Sequence, residues 1–227
     1  MKKSIFLFVF ISFCSANAQE IRDATVNNTS TIFQTKKRDF SDVKYAGSPY
    51  FNDGFQIGTP YIKNEKQPKI PMRFNAFTDE IEMMSGNEGE IYNLIKKGYI
   101  SAEIGDKFYS LHIFLDQDFK EKEGYLIALS KPGKVQFFFK PIKKLTKAKE
   151  PTSSYETYFP PSFVDESTYY VISSKKPIAN IIKLKKKDIL NLLADKKNEV
   201  ESYVSNEKLD YKNEGDVIKI INYYNSL

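Results

Sequence analysis

The chain has 227 residues, with 34 Lys and Arg against 29 Asp and Glu, one His, one Cys and no Trp. The formal charge is +5, and one cysteine excludes an intramolecular disulfide while one histidine excludes a His-based zinc site. Aromatic residues, all Phe and Tyr, make up 15% of the chain, which favours strands and an aromatic core.

Residues 1–18 read as a signal peptide: Lys2 and Lys3, an apolar run from Ile5 to Phe13 broken by Ser12, then Ala16 and Ala18 at −3 and −1 before Gln19. The run falls short of the roughly 20 apolar residues that span a bilayer. Cys14 offers a rival reading, an acylated lipoprotein, but Phe13 stands where that cleavage needs a small residue. Cleavage before Gln19 removes the cysteine and two lysines, leaving 32 basic against 29 acidic residues, a formal +3. No later apolar run is long enough for a transmembrane helix. The expected place is the periplasm or the outer-membrane face, as an exported cell-envelope protein.

Residues 19–46 read as an N-terminal arm, with Thr31–Thr35 as a short strand. From Gly47 to Met84 the chain is richest in turn residues and alternation. Ile70, Met72, Phe74 and Ala76 fall on one side of an extended segment, with Arg73 and Asn75 on the other. Gly54, Gly58 and Pro60 suit bends and bulges before it. Residues 85–90 give a turn, and Ile91–Ile95 fits either a strand or a helical turn.

Tyr99–Ile104 and Lys107–Leu115 predict a hairpin around Gly105-Asp106, followed by a charged loop from Asp116 to Glu123. Tyr125–Leu129 and Val135–Ile142 predict a second, with Pro132-Gly133 read as the centre of a type II turn. Lys143 to Pro161 lacks period and reads as a linker before a third pair, Thr168–Ser173 and Ala179–Leu184. The last 40 residues switch to helical spacing. Asp188 caps a stripe of Ile189, Leu192 and Leu193; Val200, Tyr203 and Val204 continue it; Val217, Ile220, Ile221 and Tyr224 form a terminal helix that Asn213 caps.

The fold class expected is α+β, mainly antiparallel sheet or a partly closed barrel with a small C-terminal helical unit. Its organisation is a signal peptide at 1–18, an arm at 19–46, a β-rich domain at 47–144, a linker and further hairpin at 145–184, and a helical unit at 185–227.

His112 lies between Leu111 and Ile113 in a strand pattern, without a second His or a G-x-S-x-G elbow, so it reads as structural. Asp116-Gln117-Asp118 suggests a calcium loop, but Lys120 and Glu121 stand where a donor and a glycine are required. No catalytic residue, metal or cofactor is assigned. The binding constellation expected is Tyr50, Phe51, Asp53 and Phe55 near one bend with Arg73, Asn75, Asp79 and Glu80 along and after the strand, because exposed aromatics beside fixed polar groups hold peptide, glycan or headgroup. The bland reading makes the aromatics core and pairs Arg73 with an acid across strands.

The stretch from Gly47 to Met83, with Gly47, Pro49, Tyr50, Arg73, Phe74, Asn75, Asp79, Glu80 and Ile81 in its defining places, resembles a segment of exported, functionally uncharacterised proteins of Bacteroidetes-type bacteria. The helical tail from Asp188 to Leu227 is similar to theirs. The resemblance implies an envelope protein and carries over no activity or ligand. The leading expectation is a non-enzymatic envelope binding or scaffolding protein with a protein or glycan partner and no nucleic acid; the alternatives are a carboxylate-based hydrolase of envelope glycan or peptide, and a lipid or small-molecule carrier.

Overall fold

The structure, a computed structural model, describes residues 33–35, 45–85, 90–153, 155–174 and 176–227. The expected signal peptide and its cleavage site, most of the N-terminal arm and the centre of the 85–90 turn lie outside them. The chain divides into units 1–33 and 34–227. Strand β1 (Phe33–Thr35) falls within the short strand expected at Thr31–Thr35, and every later element belongs to the second unit.

The period-two stretch forms strands as its alternation requires. Strand β2 (Gln56–Ile62) turns through Lys63 and Asn64, both at positive φ, into β3 (Glu65–Lys66), the two-residue hairpin geometry that matches strand twist. Strand β4 (Ile70–Asn75) buries Met72 and Phe74 and pairs antiparallel with β5 (Glu80–Ser85), placing Arg73 opposite Glu82. Residues 90–94, ambiguous by period, form β6 (Glu90–Leu94), and Gly105 at positive φ closes β7 (Ile100–Ile104) onto β8 (Lys107–Leu115). The sheet order from β6 is β6-β5-β4-β2-β7-β8.

From β8 the sheet closes on itself. Strands β9 (Glu121–Ala128), β10 (Val135–Lys140), β13 (Thr168–Ser173) and β14 (Lys176–Ile182) follow, and β14 returns to β8 in parallel, Ala179 opposite Phe114. The result is a five-stranded barrel, β8-β9-β10-β13-β14, within an α+β fold. The β13–β14 ladder contains a register shift, from Val171↔Asn180 to Ser173↔Lys176, which places two extra residues on β14. Between β10 and β13 an arm of β11 (Lys143–Thr146) paired with β12 (Ser162–Asp165) leaves the barrel, in the stretch that lacks period.

Alternation on the barrel strands feeds three cores. Phe138 points inward with Phe114, Leu126, Tyr170 and Ala179, filling the lumen. Its neighbour Phe137, 0% exposed, points outward with Val135, Val171 and Ile182 against the helices. On the other flank Phe74 of β4 meets the rings of Tyr109 and Tyr125, 5.2 and 6.2 Å away. A fully buried side chain of this size contributes about 1.5–3 kcal/mol, so both faces of β10 stabilise the fold.

The C-terminal helices are α1 (Lys186–Leu192), α2 (Lys197–Asn206) and α3 (Glu214–Ser226). Asn213 caps α3, its side chain accepting from the Asp216 N–H at 3.1 Å, and the expected stripe of Val217, Ile220, Ile221 and Tyr224 is buried. Two local expectations change. Asp188 lies in the first turn of α1, where its charge still meets the helix dipole, while Lys185 occupies the cap position. Gly133 has no positive φ, so no type II turn forms. A Cβ there would lie 2.4 Å from Cγ of Asn225, whose amide accepts from the Val135 N–H at 2.9 Å and donates to its carbonyl at 2.7 Å. Gly133 sits in the bend and makes room there for the helix. The charged loop is also shorter than expected, since β9 begins at Glu121.

Candidate functional site

The β4–β5 hairpin holds two polar centres. The first gathers much of the expected constellation around Arg73. Its Nε donates to Glu82 Oε2 at 2.8 Å, its Nη2 to the Tyr50 hydroxyl at 2.6 Å, and its Nη1 to the Asp53 carbonyl at 3.2 Å. The guanidinium stacks 3.7 Å from the Tyr50 ring centre and 4.3 Å from that of Phe55. Glu82 is fully buried and also accepts from Asn75 at 3.4 Å. Asn75 Oδ1 in turn accepts the Phe77 and Thr78 N–H groups that shape the turn.

Tyr50, Phe55, Arg73 and Asn75 thus converge, but as a clamp pointing into the protein. Asp53 gives Arg73 its backbone carbonyl, while its carboxylate accepts from Ser48. Phe51 packs against Phe139, with ring centres 5.7 Å apart. Glu80 stands opposite Asn75 at the start of β5. Asp79 leaves the group altogether.

Asp79 adopts φ +56° at the end of the turn, a left-handed conformation that Asp tolerates better than most residues, and so reaches the mouth of the barrel. There Oδ1 accepts from Lys140 Nζ at 2.8 Å and the Tyr125 N–H at 3.3 Å, and Oδ2 from Lys96 Nζ at 2.7 Å. Lys140 is 5% exposed, donates to the Tyr125 carbonyl at 3.2 Å and lies 4.6 Å from the Phe114 ring centre. Burial pushes its ammonium below the ordinary lysine range, and Asp79 opposes that shift. Gly124 of β9 permits this arrangement. A Cβ there would lie 2.4 Å from Asp79 Oδ2 and 2.7 Å from Lys140 Nζ.

Above this pair opens a cleft of about 520 Å³, with Phe77, Phe114 and Tyr170 among its apolar walls and Asp116, Lys122, Lys144 and Glu166 among its charged ones. Two ion pairs cross its walls, Lys122 to Asp116 at 2.9 Å and Lys144 to Glu166 at 3.2 Å, while Asp118 makes no ion pair among the described residues. Asp116 Oδ1 also accepts the Asp118 and Lys120 N–H groups, each at 2.9 Å. Lys122 first, then the Lys120 N–H, hold its carboxyl down at about 2. Burial raises the Tyr170 hydroxyl to about 12, with Asp116 adding to the shift. The acidic loop that suggested calcium is therefore tied by its own backbone and a lysine, and no group of three metal-ligating side chains occurs among the described residues.

His112 faces Ser110, Nε2 2.8 Å from Oγ, and its ring centre lies 4.7 Å from that of Phe138; burial lowers its pKa. Sequence reading missed Lys140, Lys96, Phe114 and Tyr170 as parts of one site. Two signals pointed there: Gly124 just before the apolar run of β9, and Lys140 closing the apolar run of β10.

No family model, curated protein or solved structure matches this chain. Among the described residues, no helix is long and apolar enough to cross a membrane.

Proposed function

We propose that the chain is an exported, non-enzymatic binding protein of the cell envelope that works through the cleft at the barrel mouth. The carrying observation is the electrostatic state of that cleft. Asp116 and Glu166 are each paired with a lysine, and a carboxyl held at about 2, as Asp116 is, stays ionised near neutrality and donates no proton as a general acid. Paired charges around aromatic walls suit recognition of an extended polar segment, which exchanges its own hydrogen bonds for those of the walls. The lumen is filled by Phe114, Leu126, Phe138 and Tyr170, so the mouth rather than a lipid-sized interior offers the contact surface. The basic and apolar segment before Gln19, and the resemblance of the Gly47–Met83 stretch to exported Bacteroidetes-type proteins, support envelope placement.

Amide NMR titration of the chain from Gln19 with soluble peptidoglycan fragments tests the reading. Expected are shifts at Phe77, Phe114, Lys144 and Tyr170, with the fragments recovered intact by mass spectrometry. Cleaved fragments would replace binding with a hydrolase reading, and unchanged spectra would remove the cleft as a site. The native N-terminus, read by mass spectrometry, checks export: Gln19 is expected, and an acylated Cys14 would make the protein a lipoprotein.

A further inference from the structure

Beside the β8–β9 loop, away from the Asp116–Lys122 pair, stand two exposed lysines. A cavity of about 630 Å³ opens there, lined by Leu115, Asp116, Phe119, Lys176, Asn180 and Lys183 among others. A neighbouring cavity of about 510 Å³ shares Lys176, Asn180 and Lys183 and reaches Asp188 and Asn191. Asp116 is already committed to Lys122. Lys176 and Lys183 are exposed and make no ion pair among the described residues. Two uncompensated ammonium groups therefore border both cavities, against Asp188 alone in the second.

Phe119 stands at the rim of the larger cavity, 83% exposed and at φ +60°, a backbone region that bulky side chains rarely occupy. The loop holds it there: the Phe119 N–H donates to the Asp116 carbonyl at 3.1 Å, the Asp116 N–H to the Lys120 carbonyl at 2.9 Å, and Asp116 Oδ1 accepts two further N–H groups. An aromatic ring is thus presented to solvent on a pinned loop beside free lysines. Asn180 lies between those lysines in sequence. Its Nδ2 is used by the Ile178 carbonyl at 2.7 Å, which leaves Oδ1 to accept from a hydroxyl.

We propose that the groove along β14 binds an acidic saccharide. Its carboxylates or phosphates face Lys176 and Lys183, a hydroxyl donates to Asn180, and the C–H face of a sugar ring covers Phe119. Lysine suits this role because a mobile point charge accepts either oxyanion without a fixed fork geometry. A rigid aromatic surface supplies contact area at little entropic cost. The inference rests on the binding-protein reading and adds a second contact surface, beside the barrel mouth, with a ligand class of its own.

Calorimetric titration of the chain from Gln19 with tetragalacturonate, glucose 6-phosphate, neutral galactotetraose and tetraglutamate tests it. Tetragalacturonate and, more weakly, the sugar phosphate are expected to bind, with affinity falling as salt is raised. The double variant Lys176→Gln/Lys183→Gln should weaken tetragalacturonate at least tenfold, and Phe119→Ser several-fold, with both variants melting as the parent does. Equal binding of galactotetraose, or no binding of either anionic sugar, overturns the proposal. Tetraglutamate binding that matches tetragalacturonate and ignores Phe119→Ser overturns it in favour of an acidic-peptide site. Peptidoglycan shifts at Phe77 and Tyr170 in the absence of any response along β14 overturn this inference alone, whereas cleavage of a probe overturns the binding-protein reading beneath it.

Discussion

The β4–β5 hairpin carries two ion pairs that differ in what they hold together. Arg73–Glu82 links residues directly opposite in one ladder, nine positions apart, and is sealed by Tyr50 and Phe55. Asp79–Lys140 links residues 61 positions apart and ties the hairpin's turn to the barrel mouth. The first is a local pair closed over by neighbours. The second is a tertiary fastening with a spare partner, since Asp79 also holds Lys96. Burial differs as well: Glu82 is 0% exposed at its side chain, Asp79 is 23%. A pair whose carboxylate is fully buried should be the more costly to break.

The largest effect is expected from Arg73→Ala, which removes the one ion-pair partner shown for a fully buried carboxylate and should cost roughly 3–5 kcal/mol in urea unfolding. A cost under about 1 kcal/mol would place the clamp among ordinary surface pairs and erase the contrast. Asp79→Ala comes next, at roughly 2–3 kcal/mol, because Lys140 loses its carboxylate while Asp79 itself was partly hydrated. Lys140→Met should cost less than Asp79→Ala, since Lys96 still serves Asp79. The reverse order would show that Lys96 does not act as the spare. Gly124→Ala should cost about 1–2 kcal/mol by pushing a methyl group into the Asp79–Lys140 contact. Combined with Asp79→Ala its effect should shrink, which a double-mutant cycle reads directly.

The smallest effect concerns His112. Burial holds its folded pKa below the 6.5 of a free imidazole, so the unfolded chain takes up the proton first as pH falls. Its contribution is fully present above about pH 6.5 and is lost between there and the folded pKa, with a slope of at most about 1.4 kcal/mol per pH unit. Urea unfolding from pH 8 to pH 5 should show this decline, and His112→Gln should flatten it. Replacing His112 should leave both ion pairs untouched.

Much of the first centre was legible in the sequence. Alternation through Ile70–Ala76 sends Met72 and Phe74 inward and sets Arg73 on the opposite face, and charged residues at the same spacing in β5 offer Glu82 across from it. Nothing local announced that Asp53 would contribute a carbonyl in place of its carboxylate, or that Phe51 would leave for Phe139. Asp79 stands out in the sequence, but in the wrong company. Its partner sits at the far end of β10, and only the closed barrel brings the two together.

Period and composition decided what each segment could do alone: the strands of the aromatic chain, the amphipathic stripe of α3, its Asn213 cap, and an α+β class with a barrel-like sheet. Those are properties of neighbouring residues, fixed by the 2.0 and 3.6 repeats of the backbone. Tertiary structure decided which edges meet. The parallel pairing of β14 with β8, Ala179 opposite Phe114, closes the barrel. The pairing of β9 with β8 and β10 and the arrival of the β4–β5 turn give Gly124 and Lys140 their neighbours, while the docking of α3 gives Gly133 its own. A glycine or a lysine in isolation reads as a turn or a solvated face. Its role here is set by atoms that arrive from distant parts of the chain, and the physical reason is that register and loop closure, unlike period, are settled only when the whole sheet is assembled.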